Sequence, residues 1–342
     1  MQRRQIAQTT LAMPVLGFGG ATLGDAGGSI PEYQALSTIE AAYAAGIDYF
    51  DTSPWYGNGK SELRFGAVLR AKPRASYSLS TKVGRVYQRC TDPDHPSQQR
   101  WRGGLPFSPT FDYTRDGVLR SYEQSLLRLG IDRIDALLIH DLDESHLGSP
   151  AAVEARLDEL DAGGGFAALA ALKAAGEIAA IGAGINRLGM IPKFLDRFSI
   201  DFFLVAMPYT LLNQEALDAE LPLCQARGAS VVIGAPFASG ILAIGPVAGA
   251  TYGYQPAPDP VLQKARAIKE IGERHGVPLG AAALQFPLAH PAVAAVIPGP
   301  VNADQLRANL KWMRHPIPAA FWQELKAAGL LRADAPVPEG PG

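Results

Sequence analysis

Ile47-Asp48-Tyr49-Phe50-Asp51-Thr52-Ser53-Pro54-Trp55-Tyr56-Gly57 passes from an apolar run into a carboxylate and then into a loop that carries a phenol. Short apolar runs bounded by turn residues read as buried strands. Ile47 to Asp51 is therefore expected to be a strand, with Asp51 at its carboxyl end and Tyr56 in the loop marked by Pro54 and Gly57. In α/β barrels and open α/β sheets, chemistry collects at the carboxyl ends of strands. Two other roles suit the same residues: Asp51 as the cap of the next helix, and Tyr56 as a packed turn aromatic.

Working outward, apolar and β-branched runs recur, and a helical pattern follows most of them. Val15 to Gly20 is the first, ending in the glycine-rich Gly17-Phe18-Gly19-Gly20-Ala21. Further strands are expected at Tyr77–Lys82, Ile134–His140, Ile178–Gly184, Asp201–Met207, Ser230–Gly234 and Ala292–Ile297. Helices are expected at Tyr33–Ala45, Ser61–Arg70, Arg115–Leu129 with Gly130 as its stop, and Ala152–Ala175 interrupted by three glycines at 163–165. Others are expected at Met190–Phe198, Gln214–Arg227, Pro260–His275, Ala303–Met313 and Phe321–Leu330. The stretch from the third strand to Thr114 and Ala235–Pro258 read as long loops. Eight strand–helix units in one chain predict a single (β/α)8 barrel spanning 1–342, with long loops over its C-terminal face and the N-terminal residues closing its bottom. A doubly wound sheet is the alternative. It would usually show Gly-x-Gly-x-x-Gly after the first strand, and here the third glycine is missing.

Composition narrows the class. The chain has 342 residues, 47% hydrophobic and 19% charged, with a formal charge of −2. Its pI is about 6.3 and its mean hydropathy +0.03. A large core is affordable on this composition, and the absence of a basic stripe argues against nucleic acid and against an anionic membrane surface. Cys90 and Cys224 lie far apart without metal-type spacing, as expected of reduced thiols in a cytoplasmic protein. Met1-Gln2-Arg3-Arg4-Gln5 is basic but no long apolar core follows, so no signal peptide is expected, and no apolar run reaches membrane-spanning length.

Asp51, Lys82 and His140 all stand at strand ends, with Tyr56 in the adjoining loop. A phenol has an ordinary pKa of about 10, too high for a base near neutrality. A neighbouring ammonium favours the phenolate and is expected to lower that value. A carboxylate would hold the ammonium in place, and a histidine would orient a substrate oxygen, which makes a proton relay for carbonyl–alcohol chemistry. Asp51, Tyr56, Lys82 and His140 resemble the tetrad of the aldo-keto reductases. The same family is matched by Phe50-Asp51-Thr52-Ser53-Pro54-Trp55-Tyr56-Gly57, by Ser80-Thr81-Lys82, by Tyr122 to Gly130, by Ile134 to His140, and by Ile297-Pro298-Gly299 with Gln305 and Asn309. The resemblance implies hydride transfer at nicotinamide C4 without a metal. Tyr56 would be the general acid/base, Lys82 its modulator, Asp51 the partner of Lys82, and His140 the group that orients the substrate oxygen.

The resemblance also implies the cofactor contacts: Gly20, Ala21 and Asp51 near the first strands, Asn186 on the nicotinamide amide, and Pro298, Gly299, Gln305 and Asn309 around the adenosine. Pro236, Phe237, Ser239, Gly240 and Ile241 would wrap the pyrophosphate through backbone N–H groups. NADPH-preferring relatives place a Lys and an Arg where this chain has Gly299 and Gln305, so NAD is expected, with Arg307 as a cation that could reach a 2′-phosphate. Relatives often add a Ser, a Gln and a stacking Tyr at the nicotinamide. Here those positions read Ile185, Ala206 and Gly234.

Trp55, Gly103 to Phe107, Phe111-Asp112-Tyr113, His140-Asp141 and Pro208 to Leu212 resemble the NAD-linked sugar dehydrogenases of L-fucose or D-threo-aldose type, with pyridoxal dehydrogenases close by. This implies oxidation of a cyclic hemiacetal to a lactone. Trp55, His140, Trp101 and Phe107 are the expected substrate contacts, although Trp101 and Phe107 suit plain loop packing equally. His146 reads as a surface loop residue. Alternatives are an NADPH carbonyl reductase and a non-catalytic barrel subunit. The only partner expected is a small-molecule substrate, and the chain is expected to be a monomer or small homo-oligomer.

Overall fold

The strand expected before Asp51 forms over Tyr49–Asp51 and is one of eight parallel neighbours. The computed structural model describes residues 1–342 apart from 27, 93, 102 and 340–342. In chain order the strands are β1 Phe18–Gly19, β2 Tyr49–Asp51, β3 Ser78–Val83, β4 Ala136–His140, β5 Ala180–Ile185, β6 Phe202–Val205, β7 Ser230–Ile233 and β8 Val293–Val296. Each pairs in parallel with the next. The two edges also meet: Leu16 bridges Val296 in parallel, and Gly17 N–H donates to the Val296 carbonyl at 3.0 Å. Consecutive order and joined edges give a barrel rather than a doubly wound sheet. The strands are shorter than the apolar runs predicted, because side chains stay buried beyond the last ladder hydrogen bond.

The helices are α1 Glu32–Ala44, α2 Lys60–Leu69, α3 Arg115–Leu129, α4 Pro150–Ala162, α5 Gly165–Ala174, α6 Met190–Arg197, α7 Glu220–Arg227, α8 Asp259–His275, α9 Leu279–Gln285, α10 Ala303–Met313 and α11 Ala319–Ala327. The bounds of α3 match the expectation. Thr114 caps its start by accepting from Gly117 N–H, and Gly130 leaves the helix in the left-handed region at φ 63°. The expected Ala152–Ala175 helix divides into α4 and α5 at Gly164, φ 77°. The expected Gln214–Arg227 helix also divides, because Pro222 is tolerated only in a first turn; α7 starts at Glu220, and Glu215–Leu217 is a separate 3-10 turn. No element was expected over α9, whose uniformly apolar Leu279-Gly280-Ala281-Ala282-Ala283-Leu284 has no helical period to read.

Period-two alternation divides the core in two. Tyr49, Leu138, Phe202, Leu204 and Val232 point into the barrel, where they meet Ile6, Leu11 and Met13. Those three come from an antiparallel hairpin of Arg3–Gln5 with Ala12–Pro14, which closes the bottom as expected. Phe50, Leu79, Leu137, Ile139 and Phe203 point out to the helices. Asp51 lies two residues past Tyr49, His140 two past Leu138, and Lys82 two past Ser80, whose hydroxyl meets that of Tyr49 at 3.0 Å. The same alternation that fills the bottom with apolar groups therefore aims three ionisable groups inward at the top. The stretch after β3 is not plain loop. Arg85–Arg89 pairs antiparallel with Phe107–Phe111, and a short helix, Pro96–Arg100, lies between them. Pro109 in its second strand is tolerated because the hairpin is an edge.

Candidate active site

Lys82 Nζ lies 2.8 Å from Asp51 Oδ2 and donates to the Thr52 carbonyl at 2.7 Å, with both side chains almost wholly buried. Ser80 Oγ donates to the other Asp51 oxygen at 2.6 Å. Burial pushes the Asp51 carboxyl above its ordinary range, and Lys82 and Ser80 oppose that shift. The Lys82 ammonium sits over the Tyr56 ring, 4.7 Å from its centroid. The Tyr56 and His140 rings stand edge to face, 5.9 Å apart at 87°. The structure thus brings the four residues together.

The phenol departs from expectation. Burial, followed by the charges of Asp51 and Asp141, raises Tyr56 well above its ordinary pKa of about 10, and Arg85 opposes only in part. The ammonium that was expected to lower it is committed to Asp51 and the Thr52 carbonyl. Tyr56 is therefore a neutral acid in this state.

His140 is a neutral imidazole. Burial and then the positive charge of Arg85 and Lys82 hold it well below its ordinary value. Its Nδ1 lies 3.1 Å from Ser53 Oγ and 3.2 Å from an Arg85 nitrogen, and its carbonyl accepts from the Tyr113 hydroxyl at 2.7 Å. Gly184, beside it on β5, leaves the imidazole room: a Cβ there would press at 3.3 Å on His140 Cδ2.

Arg85 and Asp141 were not expected as site residues. Arg85 Nη2 lies 3.0 Å from Asp141 Oδ2, both buried. A signal for Arg85 did exist, as a cation directly after the Gly84 turn at a strand's carboxyl end. His146 lies exposed beyond β4, as expected, but its ring is engaged, with Nδ1 2.8 Å from Asp143 Oδ1 and Nε2 3.4 Å from Asp141 Oδ2. Burial alone would lower His146, but the Asp143 hydrogen bond and the Asp141 charge outweigh it, and its pKa is raised. Burial would raise Asp143, yet the bonds from His146 and Ser145 bring it to about 2. Asp141, Asp143 and His146 offer ligand-type atoms within 4.8 Å of one another, but these charges already pair among themselves and with Arg85.

The expected substrate wall is partly assembled. Trp101 is buried, 5.6 Å from Trp55 and 6.2 Å from Tyr56 by ring centroids, and its indole nitrogen has no hydrogen-bond partner among the described residues. Phe107 is placed elsewhere. It pairs with Arg89 at the far end of the hairpin and is exposed, whereas Phe111 pairs with Arg85 and packs on its guanidinium.

The expected cofactor residues line the same rim. Gly20 N–H donates to the Asp51 carbonyl at 2.7 Å, and Ala21 precedes a 3-10 turn over Thr22–Gly24. Asn186, just past β5, donates to Asp141 Oδ1 at 3.0 Å. After β7 the chain passes Pro236 and Phe237 into three successive positive-φ residues, Ala238 (48°), Ser239 (65°) and Gly240 (107°), before Ile241. Strain of this kind in non-glycine residues gathers at ligand clamps. Pro298 accepts from Gly19 N–H at 3.0 Å. A Cβ on Gly299 would lie 2.9 Å from both the Gly19 carbonyl and Thr22 Oγ1, and that hydroxyl is buried without a partner among the described residues. Gln305 Oε1 accepts from Val301 N–H at 2.9 Å, and Asn309 is buried. A narrow backbone cradle, an orphaned hydroxyl and the Asn302-capped start of α10 fit a nucleotide.

The sequence model of the Aldo/keto reductase family matches residues 15–329. Pyridoxal 4-dehydrogenase of Microbacterium luteolum is 37% identical over 96% of this chain and 98% of its own length. D-threo-aldose 1-dehydrogenase of a Pseudomonas species is 35% identical over 95% and 97%. The holo form of aldo-keto reductase AKR11C1 from Bacillus halodurans superposes with a TM-score of 0.74 at 26% identity, covering 98% of each chain. The geometry of the rim and these likenesses place the chain in the aldo/keto reductase family, whose oxidoreductases work on alcohol and aldehyde groups with a nicotinamide cofactor.

Proposed function

We propose that this enzyme oxidises the anomeric carbon of an aldose hemiacetal to the lactone with NAD. The observation that carries the reading is the buried Lys82–Asp51 pair beneath Tyr56, with neutral His140 edge-on to the phenol and Trp55 and Trp101 walling the opening. Bound nicotinamide supplies the hydride acceptor. Tyr56, as phenolate, takes the hydroxyl proton of C1 while the C1–H pair leaves as hydride, and His140 donates a hydrogen bond to the same oxygen. An indole face suits the apolar face of a sugar ring. NAD over NADP is supported by Gly299 and Gln305, which offer no cation. Arg307 is hydrogen-bonded to Asp304, so a carboxylate stands in the first turn of α10. Pyridoxal, also a cyclic hemiacetal, is the second reading, favoured by the 37% identical relative.

Initial rates of nicotinamide reduction with L-fucose, D-arabinose, L-galactose and pyridoxal, with NAD and NADP in parallel, test this. Turnover with NAD and one sugar is expected, rising through the alkaline range because burial raises Tyr56. Consumption of NADPH by aldehydes with no NAD reduction would overturn both the cofactor and the direction.

A further inference from the structure

Arg85 is almost wholly enclosed, although it begins an edge hairpin. Its guanidinium lies between two aromatic faces, 4.7 Å from the Trp55 centroid and 4.6 Å from that of Phe111. One terminal nitrogen is 3.2 Å from His140 Nδ1 and the other 3.0 Å from Asp141 Oδ2. Asp141 Oδ1 accepts from Asn186 at 3.0 Å and lies 3.4 Å from His140 Nε2.

A guanidinium has donors and no acceptor, and it stays charged. The Nδ1 that faces it has to present a lone pair. Ser53 Oγ, 3.1 Å from the same Nδ1, accepts from Trp55 N–H at 3.1 Å, so its own proton is available for Nδ1. Two donors converge on one nitrogen, which leaves the single imidazole proton on Nε2.

We propose that Arg85 is a positioning residue that holds His140 in the tautomer with its proton on Nε2, and that Asp141 anchors Arg85 in that place. The inference rests on the reading of His140 as the donor to the substrate oxygen, since only the nitrogen that bears the proton can donate. Asp141 thereby links the catalytic imidazole to Asn186, so the substrate oxygen and the expected nicotinamide amide contact share one carboxylate.

The groups that face the imidazole come from every element around it. Ser53 and Tyr56 follow β2, Lys82 ends β3, Arg85 opens the hairpin, and Asp141 and His146 follow β4; Gly184 of β5 adds no charge. Removing Arg85 takes away a cation and the one Nδ1 partner that can only donate, and leaves Asp141 and the Ser53 hydroxyl, which can turn to accept, beside the ring. The imidazole pKa then rises, although burial and Lys82 still hold it down, and the ring exchanges tautomers.

Two-bond 1H–15N spectra of the full-length protein labelled in histidine, with His140 assigned by loss of its signal in His140→Gln, read this from pH 5 to 9. In the wild type His140 is expected to keep the Nε2–H pattern throughout. In Arg85→Met the single Nε2–H pattern gives way to exchange between tautomers and the ring protonates at a higher pH than in the wild type, and carbonyl reduction at pH 6 falls about 100-fold while the Kd for NAD is unchanged. Arg85→Lys keeps a donor and restores the pattern. An Nδ1–H pattern in the wild type, or an unaltered His140 titration in Arg85→Met, overturns the proposal. If Arg85→Met fails to fold, the wild-type spectrum and Arg85→Lys decide it. The spectra need no substrate, so failure of the sugar assignment leaves this test intact.

Discussion

The two ends of the barrel interior are built by the same strands and behave as opposites. At the bottom, Leu138, Phe202 and Val232 pack on Ile6, Leu11 and Met13 in an apolar layer in which Tyr49 is held neutral by burial. At the top, two residues further along β4, the same face carries His140, amid Asp51, Lys82, Arg85 and Asp141. Apolar burial below supplies non-directional stability. The charges above are costly to bury and persist only because each is paired. Stability and chemistry are thus separated along the strand axis within one continuous interior.

The largest expected effect breaks this division from above. Tyr56→Phe should lower turnover by about 1000-fold, within the range of a positioned acid–base group, and leave the midpoint of thermal unfolding and NAD binding nearly unchanged. Substantial activity in that variant would remove Tyr56 from the proton path. From below, Leu138→Ala should cost about 3 kcal/mol of unfolding free energy through the cavity it leaves, read by urea denaturation, with the pH–rate profile unmoved. A shifted profile would mean that the two ends are coupled. The smallest effect sharpens the boundary. His146 has a raised pKa, so its stabilisation is present below about 6.5 and fades as pH rises through its folded value. Asp143, lowered to about 2, contributes above about 4 and is lost on acidification. Buried, neutral His140 and His290 act in the opposite sense, so the pairing is read as a difference between proteins: His146→Gln should lower the melting point by about 2 °C more at pH 5.5 than at pH 8.5. An equal loss at the two pH values would rule out the pairing as a source of stability.

What could be read in advance follows the same geometry. Asp51, Lys82 and His140 are legible because each ends an apolar run, and strand alternation then aims them inward together. The bounds of α3 are legible because Thr114 and Gly130 punctuate it. The role of Arg85 is not, because a cation past a strand end shows only its place, while its partners His140 and Asp141 lie more than fifty residues on and only closure of the barrel brings them to it. Nor is Phe111, because hairpin register rather than composition decides which loop aromatic faces the site and sends Phe107 away. The phenol's raised pKa escapes the sequence for a further reason. Residue types reveal that Lys82 is near Tyr56, but not that its ammonium is committed to Asp51 and a carbonyl.

The joining of residues 15–19 to 296–298 has a consequence for how the molecule is made. β1 leaves the ribosome long before its partner β8, so a nascent chain carries an unpaired strand edge while the six strands between them are made. Such an edge is a template for wrong pairing. Closure also has the longest sequence separation of any pairing between neighbouring barrel strands, which makes it a slow step. Gly19, Thr22 and Gly299, whose close approach fits a nucleotide, straddle this seam, so a ribosome-bound chain that lacks β8 holds Asp51, Lys82 and His140 but only part of that cradle.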